Sequence, residues 1–389
     1  MNKNRAGNPG GTERLLWMTD TYGDHNGVST ALQAVHREIT AMNLPIDLMV
    51  CSSTLPSDDH LVVVKPVSEF TLPFYRQQHI RIPNYREVQR IFKKGGYSRI
   101  LCSTEGPMGF AALWLKRVFS AEVSFFLHTD WLVFAKEALR LEPAGVRRLQ
   151  RLLQIYYARF DKIFVLNTDH HRWLTGEKMR FDPARVFFTA HWPDPIFSNL
   201  LQSSGMEVPF DRKKPVVLYA GRLSREKGVT EIPAIIRMVR SIFPEVQLVI
   251  AGTGPAEEAL RQEMPDAFYL GWVEQESLPG LYLACDLLLL PSRFDTFSCV
   301  VIEAMCCGLP VVAYNTKGPK DIVQDSVNGF LVETGEEMAG VVIRYYLDPE
   351  RRIEMKQEAF RRADSYRADT ILNRLLLDTG IIGETMTSR

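Results

Sequence analysis

The sequence predicts an α/β protein with two doubly wound parallel-sheet domains. Its 389 residues favour two compact domains, because one domain usually holds roughly 150 residues. Short apolar runs alternate with helix-length segments along most of the chain, and this alternation is typical of parallel strands joined by helices. Some runs, such as residues 287–290, are apolar throughout, as expected for strands covered by helices on both faces.

The first half opens with residues 1–13, which are rich in glycine, asparagine and charged side chains and are expected to form a frayed tail. The pattern then predicts a strand at 15–19, a loop at 20–27 and a helix from 28 to about 40. The further strand candidates of this half are residues 46–51, 60–67, 100–103, 122–127 and 162–166.

The second half repeats the alternation after a stretch rich in proline, glycine and charge at 193–215, which we interpret as the linker. Its strand candidates are residues 216–220, 247–251, 267–270, 286–291 and 311–314. From about residue 351 a basic amphipathic helical pattern continues with no further strand. We therefore divide the chain into domains at 1–205 and 206–355 and a C-terminal helix at 356–389, which is expected to pack back on the first domain.

Composition excludes several classes of protein. Lys and Arg number 46, as do Asp and Glu, so the chain lacks the basic excess of a dedicated nucleic-acid binder. Residues 1–200 carry 25 basic and 19 acidic side chains, whereas residues 201–389 carry 21 and 27. This asymmetry indicates two domains with different partners.

The 6 cysteines and the apolar segments indicate a cytoplasmic protein. No cysteine pair has the Cys-x-x-Cys spacing of a zinc or redox site, and most cysteines lie in apolar runs, as reduced and buried thiols do. No window reaches about 18 uncharged apolar residues, and the first residues lack the apolar core of a signal peptide. A secreted or membrane-spanning protein is therefore not expected.

Ligands of doubly wound sheets bind beyond the carboxyl ends of the strands, so the loops there are the candidate site. The loop at 221–228, GRLSREKG, combines glycine backbone with Arg222 and Lys227, groups suited to gripping a diphosphate. A solvated turn explains this loop equally well. The loop at 252–255, GTGP, is weaker evidence. Residues 271–273 could present backbone groups to a base, although Trp272 is expected to be a packing residue.

The most specific pattern is residues 291–312, PSRFDTFSCVVIEAMCCGLPVV. A strand ends, an acidic loop with Asp295 follows, and a helix begins near Ser298 with Glu303 inside it. The free N–H groups of a helix start favour an anion, and a carboxylate in an apolar helix needs a polar partner. Two carboxylates on either side of a helix start could therefore accept hydrogen bonds from sugar hydroxyls around a bound diphosphate. The alternative is a solvent-facing Glu303, which its apolar neighbours disfavour.

Four motifs together resemble the retaining nucleotide-sugar glycosyltransferases of family 4, which have the GT-B fold of two Rossmann-like domains facing a cleft. They are the Gly-Arg-x-x-x-x-Lys-Gly loop, the acid-x7-Glu loop and helix, the segment EAMCCGLPVV at 303–312, and NGFLV at 328–332. The resemblance is strong over about residues 215–335 and looser before them.

The resemblance implies roles for residues of the second domain. Arg222 and Lys227, beside Gly221, would bind the donor diphosphate, and Glu303 would bind the ribose hydroxyls. Asp295 would bind the transferred sugar with the backbone around Thr296, Phe297, Ser298 and Cys299. Gly271, Trp272 and Val273 would flank the base. The family usually has glutamate where this chain has Asp295, so the choice of sugar is open.

The first domain matches the family in two places. Residues 19–28, TDTYGDHNGV, resemble the family's first loop, whose Asn26 and Gly27 would approach the diphosphate. Residues 128–130, HTD, resemble the His-Thr-Asp segment of the family branches that glycosylate lipids. This resemblance implies that His128 would lie near the transferred sugar. Taken alone, His128 would more often be a structural histidine. Residues 190–194, AHWPD, replace the family's usual Asn-Gly-Val-Asp.

The implied activity is transfer of a hexose, with retention, from a UDP- or GDP-sugar to a hydroxyl of a lipid or glycan acceptor bound by the first domain. His128, Arg222, Lys227 and Asp295 would be its catalytic residues. The nucleotide-sugar is a co-substrate, and neither a cofactor nor a metal is expected, because the cation pair takes the place of a divalent ion. The alternatives are a non-catalytic nucleotide-sugar-binding scaffold subunit and a GT-B nucleotide-sugar 2-epimerase. A dehydrogenase is disfavoured, since no Gly-x-Gly-x-x-Gly follows the first strand.

Residues 145–160 form a basic amphipathic helical pattern. One face carries the apolar residues Val146, Leu149, Leu152, Leu153, Tyr156, Tyr157 and Phe160, and Arg147, Arg151 and Arg159 lie largely away from it. The favoured interpretation is a helix that packs on its own sheet. The alternative is a helix on an anionic membrane, which would make the protein peripheral to the inner face of the membrane.

Overall fold

The computed structural model describes residues 13–23, 27–72, 75–137, 140–198 and 207–383. They form two compact units. The first contains residues up to Val165, then His170–Thr189 and the residues from Leu372, and the second contains Leu166–Asp169 and Ala190–Ile371. Each unit is built on its own parallel sheet with helices on its faces, which confirms the predicted fold class.

The first unit has a seven-stranded sheet in the order β3-β2-β1-β6-β7-β8-β9. Its strands are β1 (Arg14–Thr19), β2 (Ile46–Cys51), β3 (Leu61–Val64), β6 (Tyr97–Cys102), β7 (Glu122–Leu127), β8 (Lys162–Val165) and β9 (Val186–Phe188). Its helices are α1 (Gly27–Met42), α2 (Tyr85–Gly95), α3 (Pro107–Phe119), α4 (Trp131–Glu137), α5 (Pro143–Tyr157) and α6, which begins in the second unit (Thr168–Thr175). Strand order reverses between β1 and β6, so ligand-binding loops are expected there.

An antiparallel hairpin of β4 (Pro66–Leu72) and β5 (Tyr75–Pro83) interrupts the alternation. The sequence pattern predicts one strand at 60–67 where the structure has two elements. Pro66 explains the break, because proline has no N–H to donate to a continuing ladder. The segment therefore leaves the parallel sheet after Val64 and pairs with β5 instead.

The second unit has a six-stranded parallel sheet in the order β12-β11-β10-β13-β14-β15. Its strands are β10 (Val216–Ala220), β11 (Gln247–Ala251), β12 (Phe268–Gly271), β13 (Leu287–Leu290), β14 (Val311–Tyr314) and β15 (Gly329–Val332). Its helices are α7 (Ile232–Arg240), α8 (Glu257–Glu263), α9 (Leu278–Leu283), α10 (Cys299–Cys306), α11 (Pro319–Ile322), α12 (Gly335–Leu347) and α13 (Pro349–Ala363).

Both faces of the second sheet are buried, as the all-apolar strand β13 predicts. One face packs on a cluster that includes Leu288 and Met305, and the other packs on a cluster that includes Leu289 and Ile236. Successive side chains of a strand point to opposite faces, so an uninterrupted run of leucines fills both layers. This burial fixes the ends of β10 and β13, whose loops carry the candidate site.

The C-terminal part of the chain is helical. After α13, helix α14 (Ala368–Thr379) ends the described structure, and its residues from Leu372 belong to the first unit. There Lys162 Nζ donates to the Asp378 carbonyl oxygen at 2.7 Å. None of the helices in the described ranges is both long and apolar enough to cross a bilayer.

Candidate functional site

The candidate site of the second unit lies where the order of its strands reverses. β10 and β13 are neighbours in the sheet, and the remaining strands extend outward from them in opposite directions. Their following loops therefore leave the carboxyl edge side by side and frame a crevice. These are the loops at 221–228 and 291–298 that the sequence singles out.

A glycine brings the two loops into contact. Gly228 has φ +72°, and a Cβ atom there would lie 1.8 Å from the carbonyl oxygen of Pro291. Only glycine fits, because it combines the left-handed conformation with the absence of a side chain. The short 3-10 turn Arg225–Lys227 just before it is thereby held against the end of β13.

The contact places a cation beside a carboxylate. Lys227 Nζ lies 3.5 Å from Asp295 Oδ2, and the Ser298 hydroxyl donates to the same oxygen at 3.0 Å. Burial raises the pKa of Asp295 above its ordinary value, while Lys227 and Ser298 act in the opposite direction. Arg222, in the same loop, is exposed. The two cations named by the sequence are thus at the crevice, one of them paired with the predicted sugar-binding carboxylate.

Glu303 lies one helical turn into α10 and is largely buried. The Tyr282 hydroxyl donates to its Oε2 at 3.2 Å. The pKa of Glu303 is raised to about 7, mainly by burial; the Tyr282 hydrogen bond acts in the opposite direction, and the negative charge of Asp194 adds a smaller upward contribution. The structure therefore excludes the solvent-facing alternative. Near neutral pH this carboxyl exchanges between a hydrogen-bond donor and a pure acceptor.

The unusual linker residues pack beneath Glu303 in the second unit. Asp194 accepts a hydrogen bond from the Ile196 N–H at 3.1 Å, which starts the 3-10 turn Pro195–Ser198. In that turn Phe197 is buried and stacks on Tyr282 with 5.9 Å between ring centroids. The turn that follows residues 190–194 thus supports the tyrosine that donates to Glu303.

The backbone between the two carboxylates is fixed from outside its own loop. Asn167 Nδ2 donates to the Thr296 carbonyl oxygen at 2.8 Å, and the Phe297 ring meets His191 edge to face at 5.2 Å. Burial lowers the pKa of His191 to about 4, so its imidazole is neutral at pH 7. Cys299 begins α10, and burial raises its pKa well above the ordinary value.

Residues 271–273 occupy the same carboxyl edge two strands from β10. Two strand spacings put the ends of β12 and β10 about 10 Å apart. Gly271 has φ +66°, and Val273 is partly buried. The expectation that Trp272 is a packing residue is wrong, because 74% of its surface is exposed. The backbone turn at Gly271 directs this indole to solvent at the sheet edge.

The first-unit candidates lie at the edge of their own sheet. His128 follows β7 and is buried against Phe126, with 3.9 Å between the ring centroids. Gly27 is the first residue of α1, and Asn26 lies outside the described residues. The structure thus places His128 at the carboxyl end of a strand, where ligands of such sheets bind.

Sequence reasoning missed several polar residues at these edges. Asp20, at the reversal point of the first sheet, accepts hydrogen bonds from the Thr104 hydroxyl at 2.8 Å and from the Met108 N–H at 3.2 Å. Its position directly after β1 was the available signal. Arg293 lies over the Tyr314 ring at 3.7 Å. No local pattern connects Tyr282 or Asn167 with the site, because each meets its partner from a distant part of the chain.

Two family models of glycosyltransferases match this chain. A family model described as Glycosyl transferases group 1 matches residues 206–362, and one described as Glycosyltransferase Family 4 matches residues 25–190. A GDP-mannose-dependent alpha-mannosyltransferase of Corynebacterium glutamicum is 27% identical over 246 residues, which is 60% of this chain and 58% of that protein. The chain thus spans less than two thirds of this relative's length.

Solved structures share the fold. Sucrose-phosphate synthase from Thermosynechococcus elongatus matches with a TM-score of 0.69 and 18% identity, over 93% of this chain and 97% of that one. The Anabaena protein HepE in complex with UDP matches with the same TM-score and identity, over 93% and 98%. At this level of identity the likeness establishes the architecture alone.

Proposed function

Since the chain belongs to glycosyltransferase family 4 and has the GT-B fold, we propose that it transfers a hexose, with retention, from a UDP- or GDP-sugar to a hydroxyl of a lipid or glycan acceptor. The choice of these two nucleotides is supported by the GDP-mannose dependence named for the Corynebacterium relative and by the UDP bound to the Anabaena protein. The acceptor is assigned to the first unit, which carries the basic excess.

The observation that carries the proposal is a cluster of three side chains at the point where the strand order of the second sheet reverses. Lys227 Nζ and the Ser298 hydroxyl each lie within 3.5 Å of Asp295 Oδ2, and the start of α10 lies beside them. A diphosphate there would meet the lysine, the guanidinium of Arg222 and the N–H groups of the helix start. The sugar would meet the carboxylate of Asp295.

The same groups suit the departure of a diphosphate. When the bond between the sugar carbon and the donor phosphate oxygen breaks, negative charge develops on that oxygen. Lys227, Arg222 and the positive end of the α10 dipole stabilise this charge. For retention, the acceptor hydroxyl attacks from the face that the diphosphate leaves, and its proton passes to a diphosphate oxygen. This step needs no protein nucleophile and no metal.

Glu303 and His128 complete the proposed roles. The Glu303 carboxylate would accept hydrogen bonds from the ribose hydroxyls, and Tyr282 fixes its orientation. His128 would bind a hydroxyl of the transferred sugar through a ring nitrogen. Its stacking on Phe126 restricts the imidazole to one plane, which favours a directional hydrogen bond over a mobile proton carrier.

Thermal shift with UDP, GDP, ADP and their sugars tests the donor site. A nucleotide present at a hundredfold excess over its Kd stabilises the folded protein by about 2.7 kcal/mol. Lys227→Ala and Arg222→Ala should each weaken binding about 10- to 100-fold, as expected for loss of a charge-assisted hydrogen bond. Arg225→Ala is the matched control, because Arg225 is an exposed cation of the same turn. Equal losses in all three variants would refute a specific diphosphate site.

Turnover separates the transferase from the alternatives. A transferase releases free nucleotide only when an acceptor is present, whereas a 2-epimerase changes the sugar without an acceptor. Asp295→Asn should lower kcat without weakening the thermal shift by the free nucleotide, because Asp295 is proposed to bind the sugar and its loss leaves Lys227 available to the diphosphate. Donor binding without turnover across lipid and glycan acceptors would favour the non-catalytic scaffold.

A further inference from the structure

A buried asparagine contacts the loop that carries Asp295. Asn167 has only 1% of its surface exposed, and its Nδ2 donates to the Thr296 carbonyl oxygen at 2.8 Å. Because this asparagine is buried, it meets the loop from the interior of the unit and not from the crevice. The hydrogen bond therefore fixes the Thr296 carbonyl on the buried side of the loop.

The next backbone donor of the loop points the other way. The Thr296 carbonyl and the Phe297 N–H belong to one peptide group, and in a trans peptide these two bonds are antiparallel. The Phe297 N–H is therefore directed away from Asn167 and toward the crevice, where Asp295 is partly exposed. Among the residues that the structure describes, no backbone or side-chain group accepts a hydrogen bond from this N–H. It is available to a ligand.

Asn167 is held in place by the residues that follow it. Like Asn167, these residues belong to the second unit. The Thr168 N–H donates to Asp321 Oδ1 at 3.0 Å, and Lys320 Nζ lies 2.6 Å from Asp169 Oδ2. Both partners are residues of α11. The position of the asparagine is thus tied to this short helix.

The start of α11 also contacts the loop. Gly318 directly precedes this helix, and a Cβ atom built there would lie 3.3 Å from the carbonyl oxygen of Asp295. The loop, Asn167 and α11 therefore form a closed set of contacts. If the Thr296 peptide rotated, the asparagine would not be free to follow it, so the hydrogen bond resists that rotation.

We propose that Asn167 is a positioning residue of the donor site. By holding the Thr296 carbonyl on the buried side, it presents the Phe297 N–H to a hydroxyl of the transferred sugar. The asparagine itself does not touch the donor, and the diphosphate is bound by other groups. Asn167 therefore affects how the sugar is bound and leaves the nucleotide unaffected. This inference rests on the proposed function, because that proposal assigns the sugar to the loop of Asp295.

Calorimetry of the full chain tests the inference by comparing a nucleotide with its nucleotide-sugar. The probes are UDP with UDP-glucose and GDP with GDP-mannose. Loss of one neutral hydrogen bond lowers affinity about 3- to 10-fold. Asn167→Ala should therefore weaken binding of the nucleotide-sugar by this factor and leave the Kd of the nucleotide unchanged. A residue that only stabilised the fold would change both affinities alike or neither of them.

A second variant and a matched control separate this effect from a loss of stability. Asn167→Leu removes the donor but keeps the volume of the side chain, so it should reproduce the result without creating a cavity. The control is Asn328→Ala. Asn328 is also fully buried in the second unit, and its Oδ1 accepts from the Gln324 N–H at 3.0 Å. The control should lower the Tm without changing the ratio of the two affinities.

The outcomes distinguish this inference from the proposed function. Wild type that binds a nucleotide, with equal ratios of the two affinities in wild type, Asn167→Ala and Asn167→Leu, would overturn the role of Asn167 alone. An equal change of the ratio in the Asn328→Ala control would also overturn it, because any buried asparagine would then suffice. Wild type that binds none of the four probes would refute the proposed function, and the inference with it.

Discussion

Glu303→Gln tests the electrostatics of the candidate site without any ligand. The substitution keeps an oxygen for the Tyr282 hydroxyl and removes the titrating group. Burial raises the pKa of Glu303 from 4.5 to about 7, and at 1.36 kcal/mol per pKa unit this corresponds to about 3 kcal/mol. The folded protein therefore bears a cost of about this size once the carboxyl ionises.

The sign of the pH dependence follows from the raised pKa. The folded state holds the proton more tightly than the unfolded state, so the stabilisation by the proton is complete below about pH 4.5 and is lost as pH rises through about 7. Glutamine does not titrate. The stability of Glu303→Gln relative to wild type should therefore increase by about 3 kcal/mol across this window.

Thermal unfolding of both proteins at about pH 5 and about pH 8.5 measures this change. For a unit of this size, about 3 kcal/mol corresponds to a relative shift in Tm of about 6–12 °C, most of it within this interval. The matched control is Glu276→Gln, an exposed carboxylate of the same unit, which should show no comparable trend. A difference between Glu303→Gln and wild type that does not change with pH would refute the reasoning.

Further substitutions also have expected outcomes. Gly228→Ala should destabilise the protein by about 3 kcal/mol or more in urea unfolding, because the added Cβ would overlap a backbone oxygen. Gly271→Ala has open space around the added Cβ. It should therefore cost only about 1–2 kcal/mol, for placing alanine in a left-handed backbone conformation. Trp272→Ala should weaken nucleotide binding about 5- to 100-fold in calorimetry if the base stacks on the indole, with the ligand-free Tm unchanged. Tyr282→Phe removes a hydrogen bond that lowers the pKa of Glu303, so this pKa should rise. The difference in stability between Tyr282→Phe and the double variant Tyr282→Phe with Glu303→Gln should therefore change with pH around a higher midpoint than in the wild-type background.

The sequence was sufficient for the parallel strands and not for the hairpin. Residues 46–51, 122–127, 216–220, 247–251 and 311–314 are strands with the predicted limits, because continuous apolar runs between helices have few alternatives. The β4–β5 hairpin has exposed Val67 and Phe70, so it lacks the burial pattern on which the prediction relied. β9 has only three residues, too few for any periodicity.

The candidate site, like the fold, could be predicted from the sequence only in part. Loops that follow β10 and β13 were predictable, because strand ends at a reversal of order are adjacent whatever the remaining sequence. The supporting contacts were not, since Tyr282 meets Glu303 from 21 positions away and Asn167 meets Thr296 from 129 positions away. Such pairings depend on the packing of whole elements, and neither residue has a distinguishing neighbour in sequence.

The altered linker and the raised pKa of Glu303 are parts of one arrangement. Asp194 adds negative potential to a carboxyl that burial already disfavours in its charged form, and the turn that Asp194 begins places Phe197 against Tyr282. A neutral Glu303 lowers the repulsion of an incoming diphosphate, whereas an ionised Glu303 is the better acceptor for ribose hydroxyls. If Glu303 binds the donor ribose as proposed, these two requirements oppose each other, and a carboxyl with a pKa near neutrality can meet both by losing its proton as the hydroxyls arrive. Donor affinity in this chain should therefore vary with pH around neutrality, and Glu303→Gln should flatten that profile.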